Sequence, residues 1–312
     1  MLWVLYILLA LFAVIIAVGT YTFFKACLRK DYIWLDEESL KGSGFERYID
    51  HIRKSDAWLS EHNAQDVWTT SKDGLKLHGL WIPAENPRGT ILLAHGYRSS
   101  HLVDFGLVFP VYHGLGLNIL LPQQRSHRQS EGKYITFGVK ESADMLCWLD
   151  YHEKNLGGGN VILSGLSMGA STIMYIADRR FPKYVKGIIV DSGFTTPKEI
   201  ISSVFRSVVR LPSKPFIWVT DLCARLFAGF SLNAKDSRKS LSRCKLPIVM
   251  VHGLADTFVP PYMTQEGFDA CKSKKTLLMV EGADHATAFI KAPDQYRQII
   301  TDFVEEHLED DA

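Results

Sequence analysis

Five consecutive residues, Gly165-Leu166-Ser167-Met168-Gly169, carry the plainest chemistry in the chain. They follow the apolar run Val161-Ile162-Leu163 directly and open a helical stretch from Ala170 to Arg179. A serine on a tight turn between a strand and a helix is held in a strained conformation that lifts its hydroxyl clear of a sheet. Glycines two before and two after it let strand and helix approach closely. The bare pattern is common; between a buried strand and a helix it is specific, and Ser167 is the candidate nucleophile.

A serine hydroxyl is a poor nucleophile until a neighbouring base takes its proton. In open α/β sheets such partners sit on loops at the carboxyl ends of strands. Of the 11 histidines, His285 fits, in Glu281-Gly282-Ala283-Asp284-His285 between the last apolar run and the final helix. His95 and His252 each precede a glycine at a strand end and read as structural, and His51, His62, His152 and His307 read as helix-surface or packing residues. The third member should be a carboxylate late in the chain. Asp256, in His252-Gly253-Leu254-Ala255-Asp256-Thr257-Phe258-Val259-Pro260, lies past the penultimate strand and would hold the imidazole in the correct tautomer. Asp191, at the end of the strand after the nucleophile, is the rival acid, and Asp284 adjoins His285 too closely to face its ring. The order serine, acid, histidine favours Asp256. Negative charge forming on a substrate oxygen needs preorganised donors. The backbone N–H of Met168 is one. The other is that of Tyr97, in His95-Gly96-Tyr97-Arg98 after Ile91-Leu92-Leu93-Ala94, whereas Arg98 is left outside the site.

Those residues require a sheet to hold them. From residue 90 onwards, apolar runs alternate with amphipathic stretches: Ile91–Ala94, Asn118–Leu121, Val161–Leu163, Gly187–Val190, Ile248–Val251 and Thr276–Val280. Near-continuous apolar strands are buried on both faces, which means a mostly parallel sheet with helices on either side. Asp66 to Ser71 and Leu75 to Ile82 form a hairpin through Asp73-Gly74. The last helix shows a buried stripe, Tyr296, Ile299, Ile300, Phe303 and Val304. Between Val190 and Ile248 about fifty residues carry helical periodicity and no strand, which predicts a helical cap at about 195–243. Its apolar residues either dock it on the body or line a ligand pocket.

Residues 1–24 contain no charged side chain. A helix of that length spans roughly 36 Å and can cross a bilayer. The run is too long for a signal-peptide core and lacks a basic segment before it, so an uncleaved anchor is expected, with Ala17-Val18-Gly19 a passable cleavage triplet for the rival reading. Lys25, Arg29 and Lys30 follow directly and favour a cytoplasmic body on a single-pass cell-membrane anchor. Residues 25–63 read as a connecting segment and helix, in which Phe45, Tyr48, Ile49, Ile52, Trp58 and Leu59 recur at near-helical spacing. Residues 64–312 form the catalytic domain. Because every candidate catalytic residue lies beyond residue 90, activity is expected to survive loss of the anchor.

Several classes are excluded. Lys+Arg 35 against Asp+Glu 34 leaves a net charge of +1, so no global field draws in nucleic acid. Five scattered cysteines without a C-x-x-C pair argue against a disulfide scaffold and a zinc site, and read as unpaired thiols; Cys27 lies where a lipid could be attached. Gly157-Gly158-Gly159 precedes a strand, so it cannot present a phosphate to a helix start. No H-E-x-x-H or similar spacing occurs; no cofactor and no metal is expected.

From about Asp66 to Leu308 the chain resembles the α/β-hydrolase superfamily. It is especially similar to bacterial membrane-anchored hydrolases related to serine aminopeptidases, dienelactone hydrolases and acyl-thioester hydrolases. The likeness rests on His95-Gly96-Tyr97-Arg98-Ser99-Ser100, Gly165 to Gly169, Asp191-Ser192-Gly193-Phe194 and the Asp256 and His285 segments. It implies an eight-stranded, mostly parallel sheet with the cap after strand 6, and Ser167, Asp256 and His285 as nucleophile, acid and base. One segment departs. Relatives read D-x-R-x-H-G-x-S-x-G where this chain has Gln123-Gln124-Arg125-Ser126-His127-Arg128-Gln129-Ser130-Glu131-Gly132, with Arg128 in place of glycine. The expected function is a serine hydrolase of an ester, thioester or amide, first a carboxylesterase of hydrophobic acyl substrates. An aminopeptidase or acyltransferase on the same fold, or a non-catalytic membrane-tethered binding module, are the alternatives. Apart from Asp221 and Asp236 the cap is poor in acids, which argues against an amine-binding peptidase.

Overall fold

The computed structural model describes residues 2–30 and 49–308. Within them the apolar runs form one eight-stranded sheet in the spatial order β1-β2-β4-β3-β5-β6-β7-β8. The strands are β1 Gln65–Thr70, β2 Lys76–Ile82, β3 Gly89–Ala94, β4 Leu117–Pro122, β5 Val161–Leu166, β6 Val185–Asp191, β7 Ile248–Gly253 and β8 Lys275–Val280. β2 pairs antiparallel with both β1 and β4; every other pair is parallel. The β1–β2 turn works because Gly74 takes φ 86°, a left-handed value that a side chain would resist.

The longer helices are α1 Leu2–Cys27, α2 Ile49–Glu61, α3 Glu141–Asn155, α4 Met168–Met174, α5 Pro197–Val209, α6 Lys214–Cys223, α7 Tyr262–Ala270 and α8 Pro293–His307. The central strands are largely apolar because each face feeds its own core. Ile91, Leu93, Ile119 and Ile162 pack against α2 and α8, with Ile52, Leu59, Tyr296, Ile300, Phe303 and Val304. Leu92, Ala94, Leu120 and Leu163 point the other way, onto Met145, Trp148 and Leu149 of α3 and Ile173 of α4. Each fully buried side chain of this kind stabilises the fold by about 1.5–3 kcal/mol. Ile299 of the expected stripe is only half-buried. Of the expected connecting helix, Ile49, Ile52, Trp58 and Leu59 fall on α2, while Phe45 and Tyr48 lie outside the described residues.

The long insertion between β6 and β7 is helical. α5 starts on Thr196, whose side chain accepts the Glu199 N–H, with Pro197 in the first turn, and it stops at Arg210 in the left-handed region (φ 58°). α6 runs on into a π-helical turn, Ala224–Ala228, that ends at Gly229. Ile200, Ile201, Phe205, Phe216, Ile217 and Val219 from this cap form a third core with Met168, Phe194 and Val259.

Phe23 and Cys27 of α1 belong to that same core. The α1 helix is therefore docked on the body, which differs from the separable anchor expected from sequence. Gly19 lies so close to α6 that a Cβ would come within 2.5 Å of the Val219 Cβ, and Thr220 Oγ1 donates to the Gly19 carbonyl at 3.0 Å. Beyond the helix, Ile135 donates to the Cys27 carbonyl at 2.7 Å, Leu28 bridges Tyr134, and the Arg29 guanidinium donates to the Ser130 carbonyl at 2.8 Å. Replacing Gly19 with Ala should wedge α1 from the cap at a cost of about 1–3 kcal/mol. The detergent-solubilised full-length protein should then melt roughly 2–10 °C lower. Gly114→Ala, where a Cβ meets nothing within 4 Å, should leave Tm unchanged. Equal Tm values for both variants would mean that α1 is not packed as described.

Candidate active site

Ser167 occupies the one-residue turn between β5 and α4 with φ 55° and ψ −115°. Its N–H donates to the Asp191 carbonyl on β6 at 2.8 Å, and its carbonyl accepts from the Ser171 N–H at 3.0 Å. The two flanking glycines are sterically required. A Cβ on Gly169 would lie 1.8 Å from the Ala94 carbonyl oxygen, and one on Gly165 would lie 2.5 Å from the Gly169 carbonyl oxygen.

Three of the residues singled out from sequence meet across this turn. His285 Nε2 is 3.0 Å from Ser167 Oγ, and His285 Nδ1 is 2.7 Å from Asp256 Oδ2. Asp256 is buried, and its Oδ1 accepts the N–H groups of Phe258 (2.9 Å) and Val259 (2.8 Å). Buried His252 brings Nε2 to 3.1 Å from Asp256 Oδ2. Burial alone would raise the Asp256 carboxyl; hydrogen bonds from His252 and His285 outweigh it and hold it at about 2. The Phe258 ring lies 5.2 Å from the His285 ring, tilted against it by 53°. The rival acids have other partners. Asp191 accepts the hydroxyls of Ser192 and Tyr296, and Asp284 accepts the His285 backbone N–H.

The loop after β3 is held on both sides of Tyr97. Gly96 N–H donates to Asp104 Oδ2 and Ser99 Oγ–H to Asp104 Oδ1, each at 2.6 Å. Burial raises the Asp104 carboxyl to about 6 despite those two donors. Arg98 N–H donates to His127 Nε2 at 3.0 Å, which requires a neutral ring; burial pushes His127 down to about 4. Its Nδ1–H then donates to the Arg125 carbonyl at 2.8 Å. His95 is likewise held neutral by burial and accepts the Gln124 N–H at 3.0 Å. With the peptides before and after it pinned, the Tyr97 backbone has little freedom. Asp104 escaped the sequence reading: an acid in the first turn of the helix His101–Phe105 looks like an ordinary partner of the helix dipole.

The same loop is tied to the end of α1. Tyr97 donates its hydroxyl to the Ala26 carbonyl at 2.7 Å, and the Arg98 guanidinium donates to the carbonyls of Lys25 (2.8 Å) and Leu28 (2.9 Å). Arg98 is thus a fastening of the loop to the apolar helix. The neighbouring segment 123–132 is anchored by Arg125, which pairs with Asp73 at 2.8 Å and Asp144 at 2.6 Å. Arg128 takes φ 46°, a left-handed conformation that suits glycine. Among the described residues no group of three or more His, Cys, Asp or Glu side chains is placed to hold a metal ion, and the five cysteines are free thiols.

No protein-family model matches the chain. It is 25% identical over 240 residues to the uncharacterized membrane protein YNL320W of Saccharomyces cerevisiae, covering 75% of this chain and 77% of that one. It is similar in structure to the esterase Pf2001 of Pyrococcus furiosus, with a TM-score of 0.67 and 23% identity over 80% of this chain and 94% of that one. Alpha/beta hydrolase domain-containing protein 10 from mouse superposes with a TM-score of 0.57 and 17% identity over 78% of this chain and 99% of that one. These likenesses establish the fold: an α/β-hydrolase sheet, mostly parallel, with a helical cap after β6.

The depressed Asp256 carboxyl has a stability consequence. A carboxyl whose folded value lies below its unfolded value stabilises the fold above the unfolded value, near pH 4, and that contribution disappears as pH falls through about 2. Thermal melts of the parent and Asp256→Asn should therefore differ most at neutral pH, by about 2 kcal/mol, and converge as pH falls towards 2. A gap that widens on acidification would mean the carboxyl is not held down by its histidine partners.

Proposed function

We propose that this protein is a serine hydrolase that cleaves an acyl ester through an acyl-enzyme. The observation that carries the reading is the hydrogen-bonded chain Ser167–His285–Asp256, at 3.0 and 2.7 Å, built on a strained serine backbone. In this mechanism His285 Nε2 takes the Ser167 hydroxyl proton as Oγ attacks the substrate carbonyl. Asp256 orients the imidazole through Nδ1 and stabilises the imidazolium that forms. The backbone N–H groups of Met168 and Tyr97 receive the developing oxyanion. His285 then protonates the leaving alcohol, and a water activated by the same imidazole hydrolyses the acyl-enzyme, so no cofactor is needed.

An ester of a hydrophobic acyl group is the favoured small-molecule substrate. Met168 stands in the apolar core that the cap shares with Phe194 and Val259, and the structurally similar Pf2001 is an esterase. An aminopeptidase would need free carboxylates in the cap, and these are engaged. Asp221 accepts from Arg225, Ser231 and the Leu232 N–H, while Arg238 gathers Asp236, Glu199 and Glu266.

The reading extends to the amino-terminal helix. Leu2–Cys27 is long and apolar enough to cross a membrane, and the yeast relative is described as a membrane protein. Its close packing at Gly19 supports retention of the helix as a single-pass anchor, and the Lys25, Arg29 and Lys30 cluster supports a cytoplasmic body.

Fluorophosphonate should label Ser167, and Ser167→Ala should abolish labelling and lower kcat on short-chain acyl esters by at least about a thousandfold. Asp256→Asn should disable turnover, whereas Asp191→Asn should be mild. Label on another serine, or near-normal turnover of the alanine variant, would overturn the assignment; equal losses at the two aspartates would move the acid. Deleting residues 1–28 should lower kcat as well as solubilise the protein, because the loop at Tyr97 and Arg98 then loses the carbonyls of Lys25, Ala26 and Leu28.

A further inference from the structure

The exposed part of α1 is too short for the span it would make. Side chains from Leu2 to Val14 are exposed, but from Ile15 onwards the helix packs on the cap, and Gly19, Phe23 and Cys27 are buried. At about 1.5 Å per residue the exposed part measures about 20 Å, against a hydrocarbon thickness of about 30 Å. The missing roughly 10 Å corresponds to the turns from Ile15 to about Tyr21. The apolar run does extend that far, since the first charge is Lys25. It is also where α6 lies alongside, with Phe216 and Val219 against Gly19 and Cys223 against Thr20.

The opposite side of α6 is apolar and uncovered. Trp218, Leu222 and Leu226 stand four residues apart on one stripe, with Trp218 66% and Leu226 70% exposed. Val208 at the end of α5 and Leu211 in the turn after it are exposed, and half-exposed Phe227 stacks on Phe23 of α1 with Phe24 5.5 Å away. The apolar surface is thus continuous with that of the helix. Its charges are mostly basic. Between Ile200 and Ala228 the sequence carries Arg206, Arg210, Lys214 and Arg225 against Asp221, and Asp221 already pairs with Arg225.

We propose that the cap is seated in the bilayer that α1 spans, with Leu211, Trp218, Leu222 and Leu226 at the acyl-chain boundary and Arg206, Arg210 and Lys214 at anionic headgroups. The proposal rests on the reading of α1 as a membrane span. The partner is an anionic phospholipid surface, and the depth required, about 10 Å, is the depth at which amphipathic helices lie in the interface. Long basic side chains next to the apolar stripe can reach the headgroup layer from that depth. The substrate class narrows accordingly, to acyl esters dissolved in the membrane.

The test is tryptophan quenching in the full-length protein, reconstituted in vesicles of phosphatidylcholine and phosphatidylglycerol with or without brominated acyl chains. The difference signal between parent and Trp218→Phe isolates Trp218, and that between parent and Trp3→Phe isolates the far end of α1. Both should be quenched about twofold or more by brominated lipid, and Trp218 should be shielded from aqueous iodide. A second variant, Leu226→Trp, should add a further bromolipid-quenched signal. Quenching of Trp3 with Trp218 quenched only by iodide would overturn the cap's insertion and leave the span intact. Trp218 shielded from both quenchers would mean that another protein surface, such as a second copy of this chain, covers the stripe, and would also overturn the proposal. Absence of quenching at Trp3 would remove the span itself, and the proposal with it.

Discussion

The structure turns on one backbone conformation. A serine at φ 55° and ψ −115° lies where L-residues rarely stay, at a cost of order 1–3 kcal/mol, so its surroundings must leave it no alternative. They do so from three sides. The Ser167 N–H is bonded to the carbonyl end of β6, α4 starts at once and draws the Ser167 carbonyl into its first turn, and β3 stands so close to Gly169 that no side chain fits between them. Such a crossing needs β5 in the middle of a parallel sheet, flanked by β3 and β6, as found. The near-continuous apolar strands are thus the means of making the serine's turn rigid.

The same economy of burial governs the groups around it. His95 and His127 would be solvated and partly charged on a surface; inside, desolvation keeps them neutral and frees a ring nitrogen of each to accept a backbone N–H. Asp104 is buried too, and stays an acceptor for Gly96 and Ser99 on the same loop. Asp256 differs because its partners are histidines as well as amides, and the attraction outweighs desolvation. Left-handed non-glycine residues gather here as well: Arg98, Ser126, Arg128, Ser167, Ser192 and Ala286 all border these loops.

What could be read from sequence depended on whether the signal was local. Apolar runs bounded by turns reveal strands, and a serine between glycines after such a run reveals its own environment, so the sheet, the cap's position and the grouping of Ser167, Asp256 and His285 as candidates were all accessible. Docking of α1 was not. A helix apolar on every side carries no stripe to mark an inner face, and Gly19, the residue that permits the contact, looks like any small residue in a span. His127 was equally hidden, because its role depends on the β3 loop lying against segment 123–132, more than twenty residues away in sequence, while Asp104, only eight residues from Gly96, was masked by its place in the first turn of a helix. Arg128, where relatives read glycine, nevertheless takes a left-handed φ of 46°.

The fastening of Tyr97 and Arg98 to the last turn of α1 also sets how the molecule can move. A body hung on a loose tether tumbles and samples every orientation relative to its membrane. Here the loop beside Ser167 is bonded to the carbonyls of Lys25, Ala26 and Leu28, so the joint has no swivel. In a bilayer, Ser167 would keep a constant height and heading, and diffusion of the whole particle would be confined to sliding and spinning about the membrane normal. Encounters with anything dissolved in the lipid then become a search in two dimensions, carried out by a site that always faces the same way.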